Sequence, residues 1–171
     1  MTPIDNELFT ALCDQAEDAP RRRAHHLLHA SHDEPVQRML IALQPGTYFR
    51  PHRHTTPPKW ELMMVLKGAV AWLGFDDEGR VTSRTEAGAH KQAKGLEYPP
   101  GTWHALVCLT PDTVLFECKP GPFAGGRAGL RALGATRGQP AGRRLRPLDA
   151  AGQTGGPLRR LTCAASRSRR Q

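Results

Sequence analysis

The sequence predicts a small all-β domain, a sandwich or barrel, preceded by one short helix. Between Val36 and Phe123 apolar residues come in short runs, mostly with period two. Gly and Pro punctuate those runs, as at Pro45-Gly46, Asp76–Gly79 and Pro99-Pro100-Gly101. A helical stripe is confined to residues 5–19, where Leu8/Leu12 and Phe9/Cys13 stand four apart.

Each element follows in order. Asp5 or Asn6 can cap the helix and Pro20 stops it. The basic, His-rich stretch 21–35 follows, and Ala24 to Ala30 can form an edge strand. "VQRMLIALQPG" is a strand ended by its Pro-Gly turn. "TYFRPHRH" alternates and reads as the next strand. "ELMMVLKGAVAWLGF" is two strands split at Gly68. "RVTSRTE" pairs back across the Asp76–Gly79 turn as a hairpin. "LEYPPGTWHALVCL" is a strand, a turn and a strand, and "TVLFECKPG" is the last. The segments are thus 1–35, an N-terminal helix and His-rich extension; 36–123, the barrel; and 124–171, a tail.

The tail has no aromatic residue and no lysine. Such a segment buries too little apolar surface to offset its ordering entropy, so the sequence predicts disorder. The restricted Arg/Gly/Ala/Leu/Pro alphabet is also what a GC-rich coding region yields in a shifted frame. Residues 127–171 hold 11 of the 24 Lys+Arg and one acid, Asp149. They carry +10 of the net +8, which leaves −2 on residues 1–126. The basic charge therefore does not describe the barrel. Without an aromatic to stack on bases, the tail predicts no nucleic-acid partner.

Asp5, Glu7, Asp14, Glu17 and Asp18 make the N-terminus unlike a secretory signal. The longest apolar run, Leu62 to Phe75, is broken by Lys67 and too short for a membrane span. Cys13, Cys108, Cys118 and Cys163 show no CxxC and no framework spacing. The expectation is a cytoplasmic protein with free thiols; a Cys108–Cys118 bridge is the alternative.

The chemistry concentrates at "RPHRHTTPPKWE". On a strand, residues i and i+2 share a face, so His52 and His54 point one way. Glu61 opens the next strand, and the Pro99-Pro100-Gly101 turn delivers His104 at the start of another. Three imidazoles and one carboxylate suit one divalent transition metal: Fe, Mn, Ni or Zn. An octahedral metal would keep two positions open. Either half alone is weak, since surface strands often carry paired histidines and strand-end carboxylates.

The combination resembles the cupin superfamily. Its first motif, Gly, five residues, His-x-His, Glu, six residues, Gly, reads here as Gly46, His52, His54, Glu61 and Gly68. Its second, Pro-x-Gly, two residues, His, reads as Pro99, Gly101 and His104. The resemblance implies a double-stranded β-helix, a jelly-roll-like barrel, with those four residues as ligands. The loop between His54 and Glu61 is longer than usual, and Cys108 stands where Asn is common. Over residues 4–123, "DEPVQRMLIALQPGTYFRPHRH", "WELMMVLKG", "WLGFDDEG" and "TVLFECKPGPF" are similar to WbuC-type cupin-fold metalloproteins, often encoded among O-antigen (lipopolysaccharide) genes. That resemblance implies a sugar-derived small molecule. Leu27 occupies a place where that family has Asn.

By the same period, Arg50 and Tyr48 share the face of His52 and His54. Arg50 then points into the cavity, where it orients an anionic substrate group or joins an internal ion pair with Glu97 or Glu117. Tyr98, like Tyr48, can offer a phenol to a substrate oxygen. Arg50 and Tyr98 are the candidate catalytic residues. Tyr48, His29, Cys108, Trp60 and Trp103 are candidate pocket residues, with core packing the alternative for the two tryptophans and Cys108. His25, His26, His29 and His32 can form a second metal patch or a pocket rim. Two functions fit: a metal-dependent enzyme, an oxygenase or isomerase, acting on a small anionic or sugar-derived molecule, or a binding or sensing module with a structural metal. A homodimer paired through edge strands is expected.

Overall fold

The computed structural model describes residues 3–123 and the short strand at 130–132. The helix α1, Asn6–Asp18, starts at Asp5, whose side chain accepts a 3.0 Å bond from Leu8 N–H. It ends at Ala19, which is extended ahead of Pro20. Ten strands follow: β1 Arg23–Leu27, β2 Val36–Leu43, β3 His52–His54, β4 Glu61–Lys67, β5 Ala69–Phe75, β6 Val81–Gly88, β7 Gly95–Tyr98, β8 His104–Cys108, β9 Thr113–Pro120 and β10 Leu130–Ala132.

They form two antiparallel five-stranded sheets. One has the order β1-β2-β9-β4-β7 and the other β10-β3-β8-β5-β6. Sequential strands β4, β5 and β8, β9 switch sheets, so the two layers close over a shared interior as a jelly roll.

At β2 and β9 the first sheet is buried on both faces, and period two sorts their residues. Ile41, Leu43, Met63, Val65 and Leu115 pack inward with Trp72 and Leu106 of the second sheet. Leu40, Ala42 and Val114 point outward, against Leu12, Cys13 and Ala16 of α1. The helix therefore covers one face of a sheet whose other face lines the barrel.

Two expectations change. The strand expected over "TYFRPHRH" is regular only at β3; residues 44–51 are irregular. Pro45-Gly46 turns the chain, and Pro51 has no N–H to give a ladder. The tail, expected to be disordered, contributes one short strand among the described residues: Leu130–Ala132 pairs with β3, Leu130 opposite His54 and Ala132 opposite His52. An open strand edge recruits backbone irrespective of side chain, so composition does not reveal such pairing. The rest of the tail, and Cys163, lie outside the described residues. Cys13, Cys108 and Cys118 are free thiols. Among the described residues no helix is long and apolar enough to cross a membrane.

Gly68 turns β4 into β5 with φ +77°, where only glycine is at ease. A Cβ there would meet Thr113 Oγ1 and approach Thr113 Cα at 2.9 Å. Gly68→Ala should cost about 2–4 kcal/mol, the left-handed penalty plus overpacking. Urea unfolding checks this, and a midpoint shift below about 0.5 kcal/mol would contradict the strain argument.

Candidate metal centre

β3 and β8 meet at a single pair, His52 opposite His104. β3 carries His54 one pleat further on. Glu61 begins β4 in the facing sheet, opposite Tyr98 of β7. One ligand atom from each of His52, His54, Glu61 and His104 lies within 4.8 Å of the others. His54 Nε2 is 2.8 Å from Glu61 Oε2, and His104 Nε2 is 3.9 Å from it.

Backbone carbonyls orient two of the rings. His52 Nδ1 is 2.8 Å from Arg50 O, and His104 Nδ1 is 2.9 Å from Thr102 O. A carbonyl only accepts, so each Nδ1 carries the proton and each Nε2 keeps its lone pair. His104 Nε2 is buried and, among the described residues, has no hydrogen-bond partner. A buried lone pair left unsatisfied is costly unless something occupies the space before it. The cluster thus has the donor set, the tautomers and the orphaned nitrogen that a divalent metal ion would use.

The surroundings are charged. Burial pushes Glu61 up, but Lys119, the bond from His54 and the nearby His104 outweigh it and hold the carboxyl well below its usual range. Lys119 Nζ lies 3.9 Å from Glu61 and 2.6 Å from Glu117. Burial lowers the Lys119 ammonium, but Glu61 and Glu117 override that and raise it. Burial, then the Glu61 charge, raise Glu117. Burial, then His104, bring His52 down to about 4.

A cavity of about 280 Å³ opens beside the cluster. His52 and Glu61 form one part of its wall, Glu117 and Lys119 another, and His25 and His29 a third. This is near the lower limit of typical ligand pockets, roughly 300–1,000 Å³, so it suits a small molecule.

The structure places the other candidate residues as follows. His29 is 5% exposed and lines the cavity. Tyr98 is buried and stacks on the His104 ring, centroids 4.0 Å apart, with its hydroxyl unpartnered among the described residues. Arg50 does not point into the cavity. It is exposed, as is Tyr48 at 59%, while Phe49 faces inward. The irregular 44–51 backbone breaks the period-two relation to His52. Glu117 pairs with Lys119, not with Arg50, and Glu97 is exposed. Cys108 lies on the His104 face but in the apolar core. Trp60 is partly exposed. Trp103 is buried, donates to Asp77 at 2.8 Å and carries Arg53 over its ring at 4.6 Å, away from the cavity wall. Of the four N-terminal histidines, His25, His29 and His32 line the cavity.

Sequence reasoning missed Lys119 and Gln37. Period two through "TVLFECKP" puts Leu115, Glu117 and Lys119 on one face, and that signal was present. The pairing that sets Lys119 beside Glu61 is a long-range register, which period alone does not give.

The buried histidines make stability depend on pH in the metal-free protein. His52 titrates near 4 in the native state against 6.5 in its absence. Between those values the unfolded chain binds a proton that the native state does not, so stability falls as pH drops. His104 and His25, both lowered first by burial, act the same way. Glu117, raised, acts oppositely, its contribution fading as pH rises. Three histidines, with Glu61, whose lowered carboxyl also gives up stability as pH falls, oppose Glu117, so thermal midpoints in chelator should fall from pH 6.5 to 4. A flat or rising midpoint would contradict the buried neutral rings.

A family model described as a domain of unknown function (DUF6016) matches residues 4–87. No curated protein matches the sequence. Protein SO0799 from Shewanella oneidensis superposes with TM-score 0.53 at 12% identity, over 76% of this chain and 85% of that one. CapF, solved with the inhibitor 3-isopropenyl-tropolone, superposes with TM-score 0.55 at 17% identity, over 68% of this chain. This chain spans 33% of CapF's length. At such identities the likeness speaks to architecture alone, and with the two closed sheets it establishes the fold as a cupin-like jelly roll.

Proposed function

We propose that the protein is a metal-dependent cupin whose His52, His54, Glu61 and His104 hold one divalent transition metal, and that it acts on a small anionic molecule. The convergence of four ligand atoms within 4.8 Å, with His104 Nε2 buried and unpartnered, carries this reading. A bound metal would supply Lewis acidity to a substrate oxygen.

The chain's own residues supply the rest. Lys119 gives the cavity a buried cation, the role first expected of Arg50. Its attraction for an anion is strengthened where water is excluded. Burial, then the Glu61 charge, raise the Tyr98 phenol above its ordinary value, so it stays protonated near neutrality. Its unpartnered hydroxyl therefore serves as a hydrogen-bond donor rather than a base. The similarity to WbuC-type proteins supports a sugar-derived substrate.

Elemental analysis of untagged protein tests the reading. Wild type should hold about one equivalent of a divalent metal, and His52→Ala and Glu61→Gln should hold far less. Adding the metal should raise the melting temperature of wild type and not that of the variants. No metal in wild type after reconstitution would overturn the proposal.

A further inference from the structure

The inner face of the first sheet carries one polar row, set by strand register. Tyr98 pairs with Glu61, and Gln37 pairs with Lys119. Lys119 sits 3.9 Å from Glu61, which joins the two pairs. Beyond Gln37 the row reaches His29, whose neighbour Leu28 is bonded to Arg38 O. The row therefore runs from the ligand cluster across β4, β9 and β2 to the segment after β1. Glu117, opposite Met39 and Met63, and His25, opposite Ile41, also face the cavity; the rest of that face is apolar, with Met39, Ile41 and Met63.

The far end holds two buried polar atoms with no hydrogen-bond partner among the described residues, Gln37 Oε1 and His29 Nε2. Gln37 is 1% exposed and His29 5%, and both line the cavity. Their hydrogen-bonding roles follow from their other contacts. Gln37 Nε2 donates to Glu34 O at 2.9 Å and His32 O at 3.2 Å, so Oε1 is the free acceptor. Arg38 N–H donates to His29 Nδ1 at 3.0 Å, while Arg38 O, 2.8 Å from that nitrogen, receives Leu28 N–H. This assignment satisfies both backbone groups and puts the ring proton on Nε2, a donor. A donor and an acceptor lining one cavity complement a hydroxyl, which both gives and takes a bond. The ring of His32, tilted against both His29 and Phe123, roofs this end.

We propose that His29 and Gln37 form a hydroxyl-binding subsite, and that the cavity takes a polyhydroxylated small acid. Its carboxylate faces Lys119 and the metal centre, and a hydroxyl at its other end bonds to His29 and Gln37. The placement of the carboxylate rests on the metal-dependent reading above; the subsite does not. A carboxylate suits the near end because a divalent metal with Lys119 outweighs Glu61 and Glu117. A hydroxyl suits the far end because the free atoms there are one acceptor and one N–H donor. An unhydroxylated acid of the same length would leave both atoms desolvated and unpaired, which is how a polar site rejects an apolar analogue.

Calorimetric titration tests this with two probes of matched chain length, gluconate and hexanoate, on metal-loaded and chelator-treated protein. Gluconate should bind at least about tenfold more tightly than hexanoate in both preparations, the metal strengthening both acids alike. His29→Phe and Gln37→Met should each weaken gluconate about five- to tenfold, leave hexanoate unchanged and keep the metal content of wild type. Equal binding of the two acids, no gluconate binding by the metal-loaded protein, or full gluconate affinity in both variants would overturn the subsite. If the variants do not fold, the wild-type comparison of the two acids decides alone. Wild type without metal would defeat the metal reading, and the uncharged pair glucitol and hexanol, titrated in place of the two acids, would then read the subsite.

Discussion

The carboxylate of Glu61, 2% exposed inside the barrel, is the constraint around which the interior is arranged. An isolated buried charge is prohibitively costly, so it persists only with compensation at contact range. Lys119 and the hydrogen bond from His54 provide it. Lys119 is itself buried, and its second partner Glu117 follows for the same reason. A chain that places one acid in its core thereby commits further charged residues to that core. The polar row across the sheet is the outcome of this requirement, laid down by antiparallel register.

The fold and much of the site were legible because their signals are local. The Asp5 cap, the Leu8/Leu12 stripe and Pro20 all act within a few residues, and so does the hairpin joining β5 and β6. His52 and His54 are one pleat apart, and the Gly68 turn separates two strands directly. The three ligand strands come from distant parts of the chain, yet the motif spacing that suggested a cupin brought them together on paper.

What was not legible depended on backbone irregularity or on pairing. Arg50 was assigned to the cavity by extending period two through Pro51, where the strand does not extend. Phase is lost at such a break, so Phe49 faces in and Arg50 out. Lys119 and Gln37 each sit on the correct face by local alternation. Their meaning appears only when β9 lies between β2 and β4, a neighbour relation that no window of sequence contains. The β10 pairing shows the same limit, since a free edge selects by backbone and not by composition.

β2 is a wall shared by two compartments. Gln37, Met39 and Ile41 look into the cavity, while Leu40 and Ala42, the residues between and beyond, pack under α1. Neither compartment can be reshaped alone, because a shift of the strand to suit one side is transmitted to the other. Divergence toward new ligands would therefore meet resistance along β2 and find freedom in the segment from His25 to His32. That segment borders the cavity, and its strand β1 is paired along one edge only. The outer wall is thus the part of the pocket most open to evolutionary change, while the metal-side wall is tied to the core.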